Sequence, residues 1–258
     1  MKKFAALFLL TAFTSFAFAQ VKKTTTTSTK TTTVKKPIAK PKAKPMAKPT
    51  AKPVAKPVEK TKIDKEVKIK ITTDSGIIVI KLYDSTPLHR DNFVKLVKQG
   101  FYDSLIFHRV IPNFMIQGGD PTSKYAQQGS RLGSGGGEME RIPAEFIGSY
   151  IHKKGALAAA RDGNPEKKSS ACQFYIVHGE ILTDEKLAQI ETQSGKKYTD
   201  EQKNFYKTIG GTARLDNNYT VFGETISGLD VIGKIATAAR DGADRPISDF
   251  RMKMEIIK

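Results

Sequence analysis

A proline falls every fourth residue at positions 37, 41, 45, 49, 53 and 57, each directly after a lysine. No other feature limits the fold of this chain so sharply. Proline lacks an N–H, fixes φ and drives the preceding residue out of the helical region. A continuous helix or an inner strand is therefore excluded over the whole stretch. The tract before it, "VKKTTTTSTKTTTVKK", offers almost nothing to bury. Repelling like charges and few apolar residues predict a disordered linker over residues 20–66, with polyproline-II character in the Pro repeats. At ~3.1 Å per residue, residues 37–60 would reach roughly 75 Å. A hydrophobic core must therefore come from residues 67–258, a length sufficient for one domain without staples.

Charge divides the chain at the same place. Residues 1–66 hold 16 Lys against three acids, Glu59, Asp64 and Glu66, which supplies +13 of the net +17. Residues 67–258 hold 27 basic and 23 acidic side chains. The excess describes the tail, not the domain. Two uses for such a tail stay open: a solubilising spacer, or adhesion to an anionic envelope surface. The folded part has no basic stripe, so no specific nucleic-acid partner is expected. Ahead of the tail, Lys2 and Lys3 precede an apolar run from Phe4 to Phe18 and a small-x-small site, Ala17-Phe18-Ala19. This pattern predicts a cleaved signal peptide over residues 1–19, since its apolar run, about 15 residues, is short for a bilayer span. The implied location is exported, periplasmic or secreted. Cys172 is the single cysteine, so no intrachain disulfide can form.

From residue 67 the dominant signal is short strands. "EVKIKITTDSGIIVIKLY" alternates at Val67, Ile69 and Ile71, breaks at Asp74-Ser75-Gly76 and resumes at Ile77–Tyr83, which predicts a hairpin. Thr86-Pro87 opens a helix with Phe93, Leu96 and Val97 on its apolar face, and Gly100 ends it. Further strands are expected within 104–118, 155–160, 171–177, 219–225 and 250–258. Leu229, Ile232, Ile235 and Ala236 predict a second helix within 228–239. A helical insert is expected at about 181–210, where two helices each follow Thr-Asp-Glu. Thr199 with Gln202 fits a capping box. Short strands, turn signals and two flanking helices predict a mainly-β domain closed into a barrel.

The stretch "FHRVIPNFMIQGGD", residues 107–120, sets Arg109 and Gln117 among apolar residues with no acid beside them. Together with "GALAAAR", "CQFYIV" and "LDNNYTVFGE", in that order, it resembles the cyclophilin-type peptidyl-prolyl isomerases over about residues 67–258. The resemblance implies a closed eight-stranded antiparallel barrel capped by two helices, with a groove on its outer face that takes proline-containing polypeptides. It implies Arg109 as the catalytic arginine, with Phe114, Met115 and Gln117 lining the groove beside it. Ala160 and Arg161 would lie along the peptide backbone. Tyr175 falls where a Phe usually floors the proline pocket, Leu215 matches a pocket wall, and Tyr219 replaces a His common in eukaryotic members. Arg214 stands where many of those have Trp, which puts binding of cyclosporin in doubt more than catalysis.

The chemistry accounts for a lone guanidinium. Rotation about a peptide C–N bond costs ~18–20 kcal/mol because resonance is lost. The twisted prolyl nitrogen gains a lone pair that the planar amide lacks. A donor aimed at that lone pair stabilises the transition state alone. No nucleophile, metal or cofactor is needed. The sequence also suggests that the Gln117 oxygen holds the Arg109 fork. The four histidines lack ligand spacing, Gly133–Gly137 lacks a following Lys-Ser/Thr, and no nucleophile elbow occurs. The glycine run reads as a flexible groove-edge loop, and a monomer is expected. The competing reading is a proline-peptide binding module that tethers, with isomerisation incidental.

Overall fold

The computed structural model describes residues 66–258. The expected signal peptide (1–19) and nearly all of the expected linker (20–66) lie outside the described residues. Eight strands form one antiparallel sheet: β1 (Lys68–Thr73), β2 (Gly76–Leu82), β3 (Arg109–Ile111), β4 (Met115–Gly118), β5 (Ala156–Ala159), β6 (Phe174–Val177), β7 (Val221–Ser227) and β8 (Met252–Ile257). Their spatial order is β3-β4-β6-β5-β7-β2-β1-β8. Four helices accompany them: α1 (Pro87–Lys98), α2 (Asp184–Ser194), α3 (Asp200–Thr208) and α4 (Leu229–Ala236).

The barrel is not closed as expected. The sheet curls into a half-barrel, and its two edge strands do not form a continuous ladder. The seam is short: a bridge from Ile106 to Arg251, just before β3 and β8, with backbone hydrogen bonds from Ser104 to Met252, Met252 to Leu105 and Phe107 to Phe250. Beyond it β3 is only three residues long, and the Val110 N–H donates instead to the Asp244 carbonyl in the loop ahead of β8. A strand whose donor is taken by a loop cannot extend a ladder.

The alternation along each strand sorts side chains to two faces. Leu157 and Ala159 of β5, Phe174 and Ile176 of β6, and Ile116 of β4 turn inward. There they meet Ile69, Ile71, Ile78 and Ile80 of the first hairpin, Phe93, Leu96 and Val97 of α1, and Ile232 and Ile235 of α4. Met115, Ala156, Ala158, Tyr175, Val177 and Val221 turn outward and form a second buried cluster with Leu215 and Ala160. Both faces of β5 and β6 are therefore buried, which is why those segments read as unbroken apolar runs.

Caps follow the sequence at α2 and α3. Thr183 accepts from Lys186 N–H, and Thr199 and Gln202 form the full capping box. At α1 the expected Thr86 cap is absent. Its hydroxyl donates to the Tyr83 carbonyl, and the carboxylate of Glu145 accepts from the Leu88 and His89 N–H groups. The free donors at a helix start take any acceptor in reach, and a carboxylate suits their positive end. The α2–α3 segment returns through Gly210-Gly211, which hydrogen-bonds to Lys154 on one side and Glu180 on the other. A Cβ at Gly211 would overlap the His152 carbonyl and the Tyr206 ring, so no larger residue fits there.

Candidate active site

β3 and β4 pair so that Arg109 lies directly opposite Gln117. β4 pairs with β6, which sets Gln117 opposite Tyr175. β5 continues into Ala160 and Arg161, and the single helical turn at Ala213–Leu215 supplies Leu215. These elements bring Arg109, Phe114, Met115, Gln117, Ala160, Arg161, Tyr175, Leu215 and Tyr219 to one cleft of about 320 Å³. All nine site residues expected from the sequence line it. The tenth lining residue is Arg214. Phe114, Met115, Tyr175 and Leu215 give it an apolar floor and wall, and the Tyr219 ring meets Tyr175 edge-on at 5.9 Å.

Arg109 does have an acid nearby. Its Nε lies 3.7 Å from the Asp244 carboxylate, which also accepts from Arg240 Nε at 3.1 Å. Local sequence pattern carries no sign of this, because 135 positions separate the two residues. The pair is weak: the Arg109 and Asp244 side chains are 41% and 34% exposed, and a shared, solvated carboxylate neutralises little. The Arg109 guanidinium makes no side-chain hydrogen bond among the described residues, and Arg109 lines the cleft.

Gln117 does not hold Arg109. Its amide nitrogen donates to Gln173 Oε1 at 3.0 Å. Gln173 Nε2 in turn donates to the carbonyls of Gly133 and Gly135. The carboxylate of Asp120 accepts from the N–H groups of Gly133 and Gly135, and also from Thr122. Burial works against ionised Asp120, but these hydrogen bonds outweigh it and hold its pKa below the ordinary carboxylate value. The glycine run therefore sits at the groove edge as expected, bordering an adjoining cavity of about 400 Å³, yet it is pinned rather than loose. A Cβ at Gly135 would overlap Asp120, so glycine is required there. Asp120 and Gln173 thus build the site as well, and sequence reasoning misses them. The available signal is a lone polar residue at the border of an apolar run, the same one that marks Gln117.

Behind the cleft, the hydroxyl of Tyr175 passes through the floor to His152 Nε2 at 2.9 Å. His152 Nδ1 and N–H both reach Asp216 Oδ1, at 2.7 and 2.8 Å, and Tyr206 of α3 donates to Asp216 Oδ2 at 2.7 Å. Lys196, between α2 and α3, lies 3.3 Å from the same oxygen. Burial opposes ionised Asp216, but the hydrogen bond from His152, then Lys196 and Tyr206, hold its pKa below normal. The extra oxygen of Tyr175 thus ties the pocket floor to the α2–α3 segment. His108, beside Arg109, is buried with neither ring nitrogen hydrogen-bonded among the described residues. Burial pushes its pKa down to about 4, against Asp120, with Arg109 and Arg245 adding to the shift. No cluster of His, Cys, Asp and Glu suited to a metal occurs among the described residues.

Comparison with known proteins gives a consistent set of relatives. The model of the family "Cyclophilin type peptidyl-prolyl cis-trans isomerase/CLD" matches residues 68–256. A protein of Staphylococcus epidermidis provisionally named a peptidyl-prolyl cis-trans isomerase is 34% identical over 187 residues, 72% of this chain and 89% of that one. A similarly named protein of Staphylococcus aureus is 34% identical over 187 residues, covering 71% and 88%. In three dimensions the chain is similar to a cyclophilin type peptidyl-prolyl cis-trans isomerase of Cryptosporidium parvum. The TM-score is 0.57 at 23% identity, over 75% of this chain and 99% of that one. The same parasite protein in the presence of the dipeptide Ala-Pro gives 0.53 at 22% identity.

Proposed function

The chain belongs to the cyclophilin-type peptidyl-prolyl cis-trans isomerases, and from that premise we propose that Arg109 turns prolyl bonds by donating to the twisted amide nitrogen. The carrying observation is a guanidinium that lines a cleft with an apolar floor and makes no hydrogen bond to its nearest acid, whose approach at Nε is 3.7 Å. An acid clamped on the terminal nitrogens would have consumed the donors that the twisted amide needs.

The energy requirement divides among several groups. A ~10⁶-fold acceleration needs about 8 kcal/mol. One aimed donor gives ~3–4 kcal/mol, by analogy with an oxyanion-hole group. Arg109 therefore supplies part. Gripping the proline ring on Phe114, Met115, Tyr175 and Leu215 fixes one side of the bond, so that rotation is confined to the other. Removing water from the planar carbonyl destabilises the ground state relative to the twisted form. The guanidinium keeps its charge throughout and needs no proton transfer. The parasite relative, crystallised in the presence of Ala-Pro, supports prolyl peptides as the ligand class here.

The setting we propose is export, with folding of other exported proteins as the task. This rests on the Lys2-Lys3 start, the apolar run and the Ala17-Phe18-Ala19 site. The lysine-rich tail would then space the domain from an envelope surface or hold it there. The test of the activity is the cis-to-trans rate of an Ala-Pro peptide with the purified full chain. Acceleration abolished by excess prolyl competitor supports the reading, and an unchanged uncatalysed rate overturns it. The tethering alternative, with isomerisation incidental, predicts that deleting the tail abolishes the cellular role while Arg109→Ala does not.

A further inference from the structure

Three of the ten residues lining the cleft are arginines, and none is acidic. How each is held decides what the cleft attracts. Arg214 is exposed and lies over the Phe114 ring at 4.5 Å, with no ion pair or hydrogen bond among the described residues. Arg161 donates to the backbone carbonyls of Asn218 and Asp162 and lies over the Tyr219 ring at 4.7 Å. Arg109 has only the long contact to Asp244, already shared with Arg240. Ring faces and carbonyls fix a guanidinium in place without cancelling its charge. Elsewhere the pattern is reversed: Arg90, Arg141, Arg245 and Arg251 each hold a carboxylate. Arg131, exposed just ahead of the glycine run, is the exception among the described residues; the other arginines without a close carboxylate are gathered at the cleft, where the apolar floor concentrates their field.

We propose that this cleft selects prolyl peptides with a carboxylate side chain, Asp or Glu, next to the proline, and disfavours lysine there. The proposal rests on the isomerase reading and names its substrate class. Arg214 and Arg161 are the residues that set the preference, since Arg109 is committed to the amide. One consequence concerns the chain itself. Every proline from 37 to 57 in its repeat follows a lysine, so its own tail carries the disfavoured sign.

The test uses the full chain and matched neutral-background peptides that differ only beside the proline, with Glu, Gln or Lys on either side in turn. The kcat/KM for cis-to-trans exchange is measured by NMR at low and high salt. At low salt the Glu peptide is expected to exceed the Gln peptide by about three- to tenfold on one side, with Lys below Gln. High salt should narrow the spread. Arg214→Gln should bring the Glu-to-Gln ratio towards one, and Arg214→Lys should keep it above one. Each ratio is taken within one protein, so a general change in turnover cancels. Turnover of all three peptides at equal rates at low salt overturns the proposal and leaves the isomerase reading intact. A ratio unmoved by Arg214→Gln overturns the assignment to Arg214. Turnover of none of the peptides removes the isomerase reading itself.

Discussion

Tyr175 separates two regions that treat charge in opposite ways. On its ring side, three guanidiniums line a partly wet cleft, and only Arg109 has a carboxylate near it, loosely placed. On its hydroxyl side, Asp216 is 3% exposed and takes contacts from His152, Tyr206 and Lys196. Water decides the difference. Where solvent reaches, an unpaired cation costs little and stays available to a ligand. Where solvent is shut out, an ionised carboxylate survives only when its acceptor sites are filled. One region keeps its charges largely unpaired, and the other pairs them within the fold.

The sharpest way to break that contrast is to empty the dry side. Asp216→Ala leaves Lys196, the Tyr206 hydroxyl and the His152 ring without their shared partner. Loss of one member of a buried pair costs about 3–5 kcal/mol, enough to lower the thermal midpoint by roughly 10 °C in a domain of this size. A calorimetric shift below about 2 °C would mean that the network bears little of the fold.

His108 is the intermediate case, dry like Asp216 yet unpaired and next to Arg109. Its folded-state pKa, about 4, lies below the ordinary 6.5. The unfolded chain therefore binds a proton over that window while the folded chain does not. Stability falls as pH drops from about 6.5 to about 4, by at most about 3 kcal/mol from this residue. His89 and His178 are shifted in the same direction and add to the slope. His108→Leu should flatten part of the denaturation midpoint's dependence on pH in that range. An identical slope in the variant would show that the buried imidazole is already paired, for instance with water.

The smallest effect is expected at the boundary itself. Tyr175→Phe removes the donor to His152 Nε2 and keeps the ring in the cleft, so stability should fall by about 1 kcal/mol. Peptide turnover should stay within a few-fold. A collapse of turnover with KM unchanged would show that the hydroxyl also sets the floor's position.

Legibility in the sequence follows the same boundary. The residues that line the cleft are readable, because "FHRVIPNFMIQGGD" and the apolar runs downstream keep polar side chains at fixed offsets among apolar ones, while Gln173, Asp120 and Asp244 behind them are not. Strand and helix periodicity places all eight strands and all four described helices. Long-range pairing of polar groups escapes. Glu145 caps α1 from 57 positions away, Asp244 approaches Arg109, and Gln117 turns to Gln173. Short-range pattern carries no trace of such partners. The seam escapes for a related reason: closure turns on whether the Val110 N–H meets a strand or a loop carbonyl, and a loop wins. Tyr175 is legible as a departure, but its cause is not, since its partner His152 lies 23 positions away in the chain.

The most direct measurement compares full chain and Arg109→Ala for exchange rate and affinity on one prolyl peptide, by NMR lineshape and titration together. Loss of an aimed donor worth ~3–4 kcal/mol predicts a rate lower by about 10²- to 10³-fold, with the dissociation constant moving less than about tenfold. An unchanged rate, or a loss carried wholly by affinity, would contradict a guanidinium that acts on the twisted bond.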